Sequence, residues 1–168
     1  MTWEIVRRNL ARGVRGWSGS NLFSGVTTTY PGDEAEPYAR YQYGAATASG
    51  SGRFLTLTNI ITLTLGMQYT FAYEVRVTQS GWEKCARVDL PRGTGVAETA
   101  AGTYMPLPPG EWTPVSITIT GPPPGTDTRL VLLQYGWRRQ GSPSIAQVGD
   151  MDGLVADFRR FYFAEVAP

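Results

Sequence analysis

The stretch Gly66-Met67-Gln68-Tyr69-Thr70-Phe71-Ala72-Tyr73-Glu74-Val75-Arg76-Val77 decides the fold. From Gln68 onward, aromatic and β-branched residues occupy every second position, and mostly polar residues lie between them. This alternation predicts a β-strand with one buried side and one solvent-facing side. Aromatic and β-branched residues favour such a half-buried, pleated surface. The strand therefore requires hydrogen-bonded neighbours and a second sheet packed over its apolar side.

Other segments alternate in the same way or form short apolar runs, and they predict strands at 38–43, 53–59, within 60–65, 84–90, 111–120, 129–135 and 154–163. The chain contains 20 glycines and 12 prolines, a composition typical of short strands joined by turns. No segment has convincing helical periodicity. About nine or ten short strands predict an all-β fold, a two-sheet antiparallel jelly-roll sandwich.

The predicted strands also define a core and the loops around it. Segment 91–110 contains several prolines and is predicted to be rich in loops, and segment 138–149 is predicted to be a polar loop. The run 129–135 is apolar on both parities, which predicts a central strand covered on both sides. We expect these side chains to be buried: Phe71, Val75, Val115, Ile117, Ile119, Val131 and Leu133.

Composition excludes several classes of function. At 168 residues the chain is expected to be one domain. A formal net charge of +1 argues against binding nucleic acid through phosphate contacts. No apolar run approaches the roughly 20 residues of a membrane span, and the N-terminus lacks the apolar region of a secretory signal. The single cysteine, Cys85, excludes an intramolecular disulfide and is expected to be buried and inert.

The sequence also argues against an enzyme. Histidine is absent, which excludes Ser-His-Asp and Cys-His catalysis and the commonest transition-metal ligand. Glycosidases need two carboxylates that flank the scissile bond. The pairs Glu34 with Glu36 and Asp150 with Asp152 lie in turn-like segments without a catalytic signature. We therefore predict a protein that is not an enzyme.

Four motifs, in order along the chain, resemble a known family. They are Asn9-Leu10-Ala11 followed by Gly16-Trp17, the stretch 66–75, Trp112-Thr113-Pro114-Val115, and Val155-Ala156-Asp157-Phe158. The pattern is similar to jelly-roll carbohydrate-binding modules of the cellulose- and xylan-binding type. It looks most like the stand-alone versions that tailed bacteriophages carry as minor tail or other virion proteins.

The resemblance implies aromatic side chains on a concave sheet face that stack on sugar rings. In this chain Glu74 stands where the family often has an aromatic residue, and the family's pattern places Trp112 in the core. The remaining glycan-binding candidates lie near strand ends or in loops. They are Tyr41, Tyr43, Trp82, Tyr104 and Trp137.

The resemblance further implies a structural calcium ion near an aspartate pair before the last strand. The matching pair here is Ala156-Asp157, so one carboxylate is missing, and Asp150 and Asp152 are the candidates to replace it. The alternative for these two residues is an ordinary Asx-type turn. No other cofactor is implied.

The family's first strand begins near Asn9, so residues 1–8 are predicted to be an N-terminal arm and residues 9–168 the sandwich domain. The predicted partner-binding residues of the arm and of the segment after it are Trp3, Arg7, Arg8, Arg12 and Arg15. Tryptophan and arginine are enriched at interface hot spots. The alternative is a solvated edge or a frayed terminus.

Two functions remain after this reading. The first is a bacteriophage virion structural protein, as a minor tail, head decoration or adsorption component. Such a protein would be made in the host cytoplasm and would bind other virion proteins as a homo-oligomer or in many copies on a particle. It would bind neither nucleic acid nor a membrane. Weak binding of a glycan, such as one of a cell surface, would accompany this attachment. The alternative is a polysaccharide-binding module that acts chiefly as a glycan binder.

Overall fold

The computed structural model describes residues 18–20, 26–31, 36–44, 56–58, 66–92, 96–121, 131–133, 137–144, 146 and 148–166. These residues contain thirteen strands and one short 3-10 helix, Val148–Met151. The strands are β1 (Ser18–Ser20), β2 (Val26–Thr29), β3 (Ala39–Tyr43), β4 (Thr56–Thr58), β5 (Gln68–Val77), β6 (Trp82–Lys84), β7 (Arg87–Arg92), β8 (Val96–Ala101), β9 (Met105–Leu107), β10 (Thr113–Thr120), β11 (Val131–Leu133), β12 (Trp137–Arg139) and β13 (Val155–Glu165).

The strands form three sheets, in which every described pair is antiparallel. The first sheet has the order β1-β4-β11-β7-β8, and the second has the order β10-β5-β13-β3-β2. The third is a small sheet with the order β12-β6-β9. The predicted all-β antiparallel architecture is confirmed.

Strand β5 occupies the position predicted from its alternation. It pairs with β10 on one edge and with β13 on the other. Its residues alternate between buried and partly exposed along the whole strand. Gly66 and Gly81, near its two ends, have φ angles of 71° and 81°, a backbone conformation that glycine adopts without steric cost.

One core cluster joins the three sheets. It includes Val88 from the first sheet, Phe71 from the second and Trp137 from the third. Phe158 lies at its centre, with ring centroids 5.2 Å from Tyr41 and 6.2 Å from Trp137. Aromatic pairs of this geometry add to the free energy gained from area burial. The aromatic side chains on the buried sides of the strands thus hold the sheets together.

Most of the predicted core is confirmed. Phe71, Val75, Val115 and Ile119 are buried, and so is the free cysteine Cys85. Ile117, in contrast, is only partly buried against the cluster, although Val115 and Ile119 on the same strand are buried. The central position of β11 is confirmed by its pairing with β4 and β7. Val131 and Leu133 are described in their backbone only.

Two strands were not predicted in the loop-rich segment 91–110, which contains β8 and β9. The prediction of a loop over 138–149 was wrong at its start, which contains most of β12. Strand β8 is rich in alanine and pairs along β7, so partner pairing overrides its weak intrinsic β-propensity. Strand β9 includes Pro106 but lies at an edge of the third sheet, where proline is tolerated. The predicted strand 84–90 is interrupted at Cys85 and Ala86, so its two parts join different sheets.

Within the described ranges, no helix has the length and apolar character needed to cross a membrane.

Candidate functional site

The polar side of the second sheet carries a group of charged side chains, which we call the arginine face: Arg40, Arg76, Arg159, Arg160, Glu74 and Asp157. Side chains opposite each other on neighbouring antiparallel strands lie on one side of a sheet. Asp157 of β13 is opposite Arg76 of β5 and Arg40 of β3. Arg159 is opposite Glu74. The polar parity of β5 therefore meets complementary charges on both neighbouring strands.

Asp157 is the buried centre of this face. Arg40 donates hydrogen bonds to its two carboxylate oxygens from Nε at 2.7 Å and Nη2 at 3.0 Å. Arg76 donates from Nε at 3.1 Å and Nη2 at 2.8 Å. The Asp157 side chain is only 3% exposed, and four charge-assisted hydrogen bonds compensate the cost of removing it from water.

A second, more exposed group of ion pairs lies beside the first. Glu74 accepts a hydrogen bond from Arg159 Nε at 2.6 Å and another from Arg160 Nη1 at 3.1 Å. Glu36 accepts from Arg160 through Nε at 2.8 Å and through Nη2, and its Oε2 lies 3.3 Å from Arg159 Nη1. The hydrogen bond from Arg160 holds the pKa of Glu36 below its ordinary value.

A β-bulge brings Arg159 and Arg160 together. The register between β13 and β5 shifts between Arg159 and Tyr162, and Arg160 has a φ angle of 53°. Successive side chains of a regular strand point to opposite sides, whereas these two arginines contact the same carboxylate, Glu74. The bulge thus adds a second guanidinium to the polar side of the sheet.

Aromatic side chains lie on the arginine face. Trp112 is half-buried, and the Cζ atoms of Arg76 and Arg159 are 4.4 Å and 4.1 Å from its ring centroid. Tyr38 meets the Trp112 ring edge-on at 6.0 Å, and Tyr162 is 37% exposed on the same side of the sheet, opposite Ala72. The expectation that Trp112 belongs to the core was wrong: Thr113 next to it points inward, so Trp112 has the parity of the polar side.

Four of the five predicted glycan-binding residues lie in the core. Tyr41, Tyr43, Trp82 and Trp137 are buried, and Trp137 Nε1 donates a hydrogen bond to Tyr43 Oη at 3.2 Å. A ring that stacks on a sugar must present a face to solvent, so this burial argues against sugar contact by these four. Tyr104 is half-buried, with Arg138 Cζ 4.0 Å from its ring centroid, and its glycan contact stays a prediction.

The three predicted calcium ligands are not brought together. Asp157 is held by two guanidinium groups, whose positive charge opposes a cation. Asp150 is exposed within the 3-10 helix, and Asp152 is exposed just after it. In the part of the chain that the structure describes, no three His, Cys, Asp or Glu residues form a group suited to a metal ion. These surroundings argue against Asp157 as a calcium ligand, and calcium binding by the protein stays a prediction.

The predicted partner-binding residues Trp3, Arg7, Arg8, Arg12 and Arg15 lie outside the described residues, as does the boundary between the arm 1–8 and the domain 9–168.

Sequence reasoning named Glu74 and Asp157 but missed the ion pairs that join them to the arginines of this face. The signal was present, because Glu74 with Arg76 and Asp157 with Arg159 have the same spacing of two on two predicted strands. Opposite charges directly across a strand pair stabilise it. The register that joins these particular charges, and the bulge at Arg160, appear only in the folded structure.

The fold is similar to that of solved carbohydrate-binding modules. The C-terminal family 22 carbohydrate binding module of a Clostridium thermocellum xylanase covers 96% of this chain and 93% of its own length, with a TM-score of 0.60 and 9% identity. The CBM22-2 xylan-binding domain from Paenibacillus barcinonensis covers 97% of this chain and 100% of its own length, with a TM-score of 0.61 and 11% identity.

A longer structure gives the same result. The CBM22-1 and GH10 modules of a Clostridium thermocellum endo-1,4-β-D-xylanase, complexed with xylohexaose, match 96% of this chain with a TM-score of 0.57 and 15% identity. This chain spans 28% of that protein's length. No protein-family model and no curated protein matches the chain. The chain therefore has a carbohydrate-binding-module-like jelly-roll fold, and at these identities the likeness concerns the fold alone.

Proposed function

We propose that this protein is a non-catalytic glycan-binding module, and that the arginine face binds the polysaccharide. The observation that carries the proposal is the pair of aromatic side chains on the polar side of the second sheet, the exposed Tyr162 and the half-buried Trp112, beside the charged groups of Arg159 and Glu74. Solved modules of similar fold are described as xylan-binding, which adds support for a polysaccharide ligand.

The chemistry of the arginine face suits a sugar chain. The apolar C–H face of a pyranose ring packs on an aromatic ring, and its hydroxyl groups bind guanidinium donors and carboxylate acceptors. Trp112 and the exposed Tyr162 supply aromatic surface, and Arg159 and Glu74 supply polar groups beside it. Because ion pairs already order the arginines, less side-chain freedom is lost when a ligand binds.

The experiment is a binding measurement with a panel of soluble polysaccharides, including xylan and a soluble cellulose derivative, by affinity electrophoresis and calorimetry. We expect Trp112→Ala to weaken binding by about tenfold or more, equivalent to about 1.4 kcal/mol. The variant should stay folded, with a melting temperature lowered by a few degrees because the ring packs against Tyr38, Arg76 and Arg159. Met105→Ala is the matched control, because Met105 is an exposed apolar residue of the third sheet. Equal affinities of Trp112→Ala and wild type would contradict the assignment of the arginine face.

A virion role is a separate proposal, which rests on the sequence resemblance and on the arginine-rich segment that ends at Arg15. We expect a variant lacking residues 2–8 to keep its melting temperature and to lose attachment to particles that lack the protein. Deleting seven residues within the sandwich would disrupt its strands, so such a deletion cannot serve as the control. The control is the double substitution Arg7→Lys and Arg8→Lys, which keeps the positive charge of the arm. Normal attachment of the truncated protein would rule out the docking arm.

A further inference from the structure

We infer that Arg159 and Arg160 form a carboxylate-binding subsite, occupied in the free protein by Glu36, and that it selects polysaccharides bearing uronic acids. The inference rests on the proposed function and names the ligand class of the same face. Its elements are a pair of adjacent guanidinium groups, an exchangeable internal carboxylate and an aromatic ring beside them.

The structure contains a carboxylate bound in the proposed subsite. Both carboxylate oxygens of Glu36 accept hydrogen bonds from Arg160. Arg160 Nε donates to one oxygen at 2.8 Å, and Arg160 Nη2 donates to the other. Arg159 Nη1 lies 3.3 Å from Glu36 Oε2. This is the forked geometry in which arginine binds a carboxylate through two parallel hydrogen bonds.

Displacement of Glu36 from the subsite would leave no buried charge without a partner. Its side chain is 42% exposed and that of Arg160 is 55% exposed, and exposed ion pairs of this kind contribute little to stability. Once displaced, the carboxylate of Glu36 is solvated by water. Asp157 differs, because its side chain is only 3% exposed. Without its arginine partners, nothing would compensate the cost of removing its charge from water.

The arginines remain positioned when Glu36 leaves. Glu74 holds Arg159 at 2.6 Å and Arg160 at 3.1 Å. Two positive charges against the one negative charge of Glu74 leave a single positive charge in the subsite. That charge matches one carboxylate, as a single uronic acid residue carries.

The neighbouring ring places a sugar beside this carboxylate. Arg159 contacts both the subsite and Trp112, since its Cζ is 4.1 Å from the Trp112 ring centroid. Tyr162, which is 37% exposed on the same side of the sheet, offers an open ring on the same strand. A pyranose ring on this aromatic surface and its C6 carboxylate on the guanidinium pair would be adjacent contacts of one sugar residue. The positive φ of Arg160, 53°, fits this role, because strained backbone in non-glycine residues concentrates at functional sites.

The first experiment compares glucuronoxylan with the same polymer after chemical reduction of its carboxyl groups. We expect wild type to prefer the acidic polymer, Glu36→Gln to bind it about five- to tenfold more tightly without a change for the reduced polymer, and Arg160→Gln to lose the preference. The preference should also fall as salt rises. Glu165→Gln, an exposed carboxylate at the end of β13, is the matched control and should behave as wild type.

The second experiment separates the subsite from the wider proposal. Sodium glucuronate is titrated into Glu36→Gln while the arginine Nε–Hε signals are followed by NMR, and we expect millimolar glucuronate to shift the Arg160 signal. Arg160→Gln should show no saturable shift of the Arg159 signal. Binding of glucuronate without binding of any polymer would support the subsite and contradict the glycan-binding module. Equal binding of both polymers by all variants, or an unshifted Arg160 signal, would overturn the subsite.

Discussion

At the scale of single residues, Lys84 is a titratable amine placed in an apolar interior. Its side chain is buried, with Nζ 5.7 Å from the Tyr73 ring centroid and 5.2 Å from that of Trp137. Nζ donates a hydrogen bond to the Cys85 carbonyl oxygen at 3.2 Å, and the Tyr73 hydroxyl donates to the same oxygen at 3.1 Å. Burial lowers the pKa of Lys84 to about 7, because an apolar environment disfavours the charged form.

We expect Lys84→Met to raise the free energy of unfolding by about 1–3 kcal/mol at neutral pH, as apolar replacements of buried charges often do. Methionine preserves the length of the side chain, and the Cys85 carbonyl keeps its hydrogen bond from Tyr73. Urea unfolding measures the change, with Arg138→Met, a partly exposed neighbour in the third sheet, as the control. A destabilised Lys84→Met protein would show that the ammonium contributes net stability.

Asp157 provides a second test at this scale. Replacing it with asparagine leaves Arg40 and Arg76 in place but removes the charge that both bind, and we expect a loss of about 1–3 kcal/mol in the free energy of unfolding. Glu36→Gln, in an exposed ion pair, should change stability much less. Chemical denaturation of both variants decides the comparison, and equal losses would contradict the distinction between the buried and the exposed group.

At the scale of elements, deletion of a single residue would remove the bulge in β13 and restore a regular strand. Arg160 is the extra residue: without it, Arg159 and Tyr162 would stay on the polar side and Phe161 would stay inward near Tyr73, whose ring centroid is 5.7 Å away. We expect deletion of Arg160 to keep the fold, with a melting temperature changed by only a few degrees, and to abolish the preference for acidic polymer.

The control for that deletion is removal of Ala72 from the regular strand β5, which would move every following side chain to the wrong side. We expect that variant not to fold. Circular dichroism and thermal melting compare the two deletions. Unfolding of the Arg160 deletion would show that the bulge is required by the sandwich rather than by its binding face.

The same scale shows how far the sequence could be read. The alternation of β5 and β10 predicted two strands and their inward faces correctly. Strand β8 could not be found locally, because its alanines become a strand only through pairing with β7. The arginine face was hidden for a related reason: Arg40 and Asp157 are 117 positions apart, and only the order of the strands makes them neighbours. Trp112 was predicted to lie in the core. It precedes the inward-pointing Thr113, however, and successive side chains alternate, so Trp112 lies on the polar side of the sheet.

At the scale of the whole molecule, buried titratable groups predict how stability depends on pH. The folded-state pKa of Lys84 is about 7, below its ordinary 10.5, so between these values the unfolded chain binds more protons than the folded one. Stability must then rise with pH across this window. Burial raises the pKa of Tyr41, Tyr43 and Tyr73 above 10. Above about pH 10 the unfolded chain loses these protons first, so stability must fall.

We therefore expect a stability maximum on the alkaline side, near pH 10. The rise below it has a slope that approaches about 1.4 kcal/mol per pH unit for one proton. Urea unfolding from pH 6 to 11 measures the profile, in a Cys85→Ala background so that the neighbouring thiol does not contribute. Lys84→Met in that background should flatten the rise and leave the alkaline fall unchanged, because the tyrosines remain. If stability does not rise between pH 7 and 9 while Lys84 is present, the folded protein keeps this lysine charged inside its aromatic surroundings.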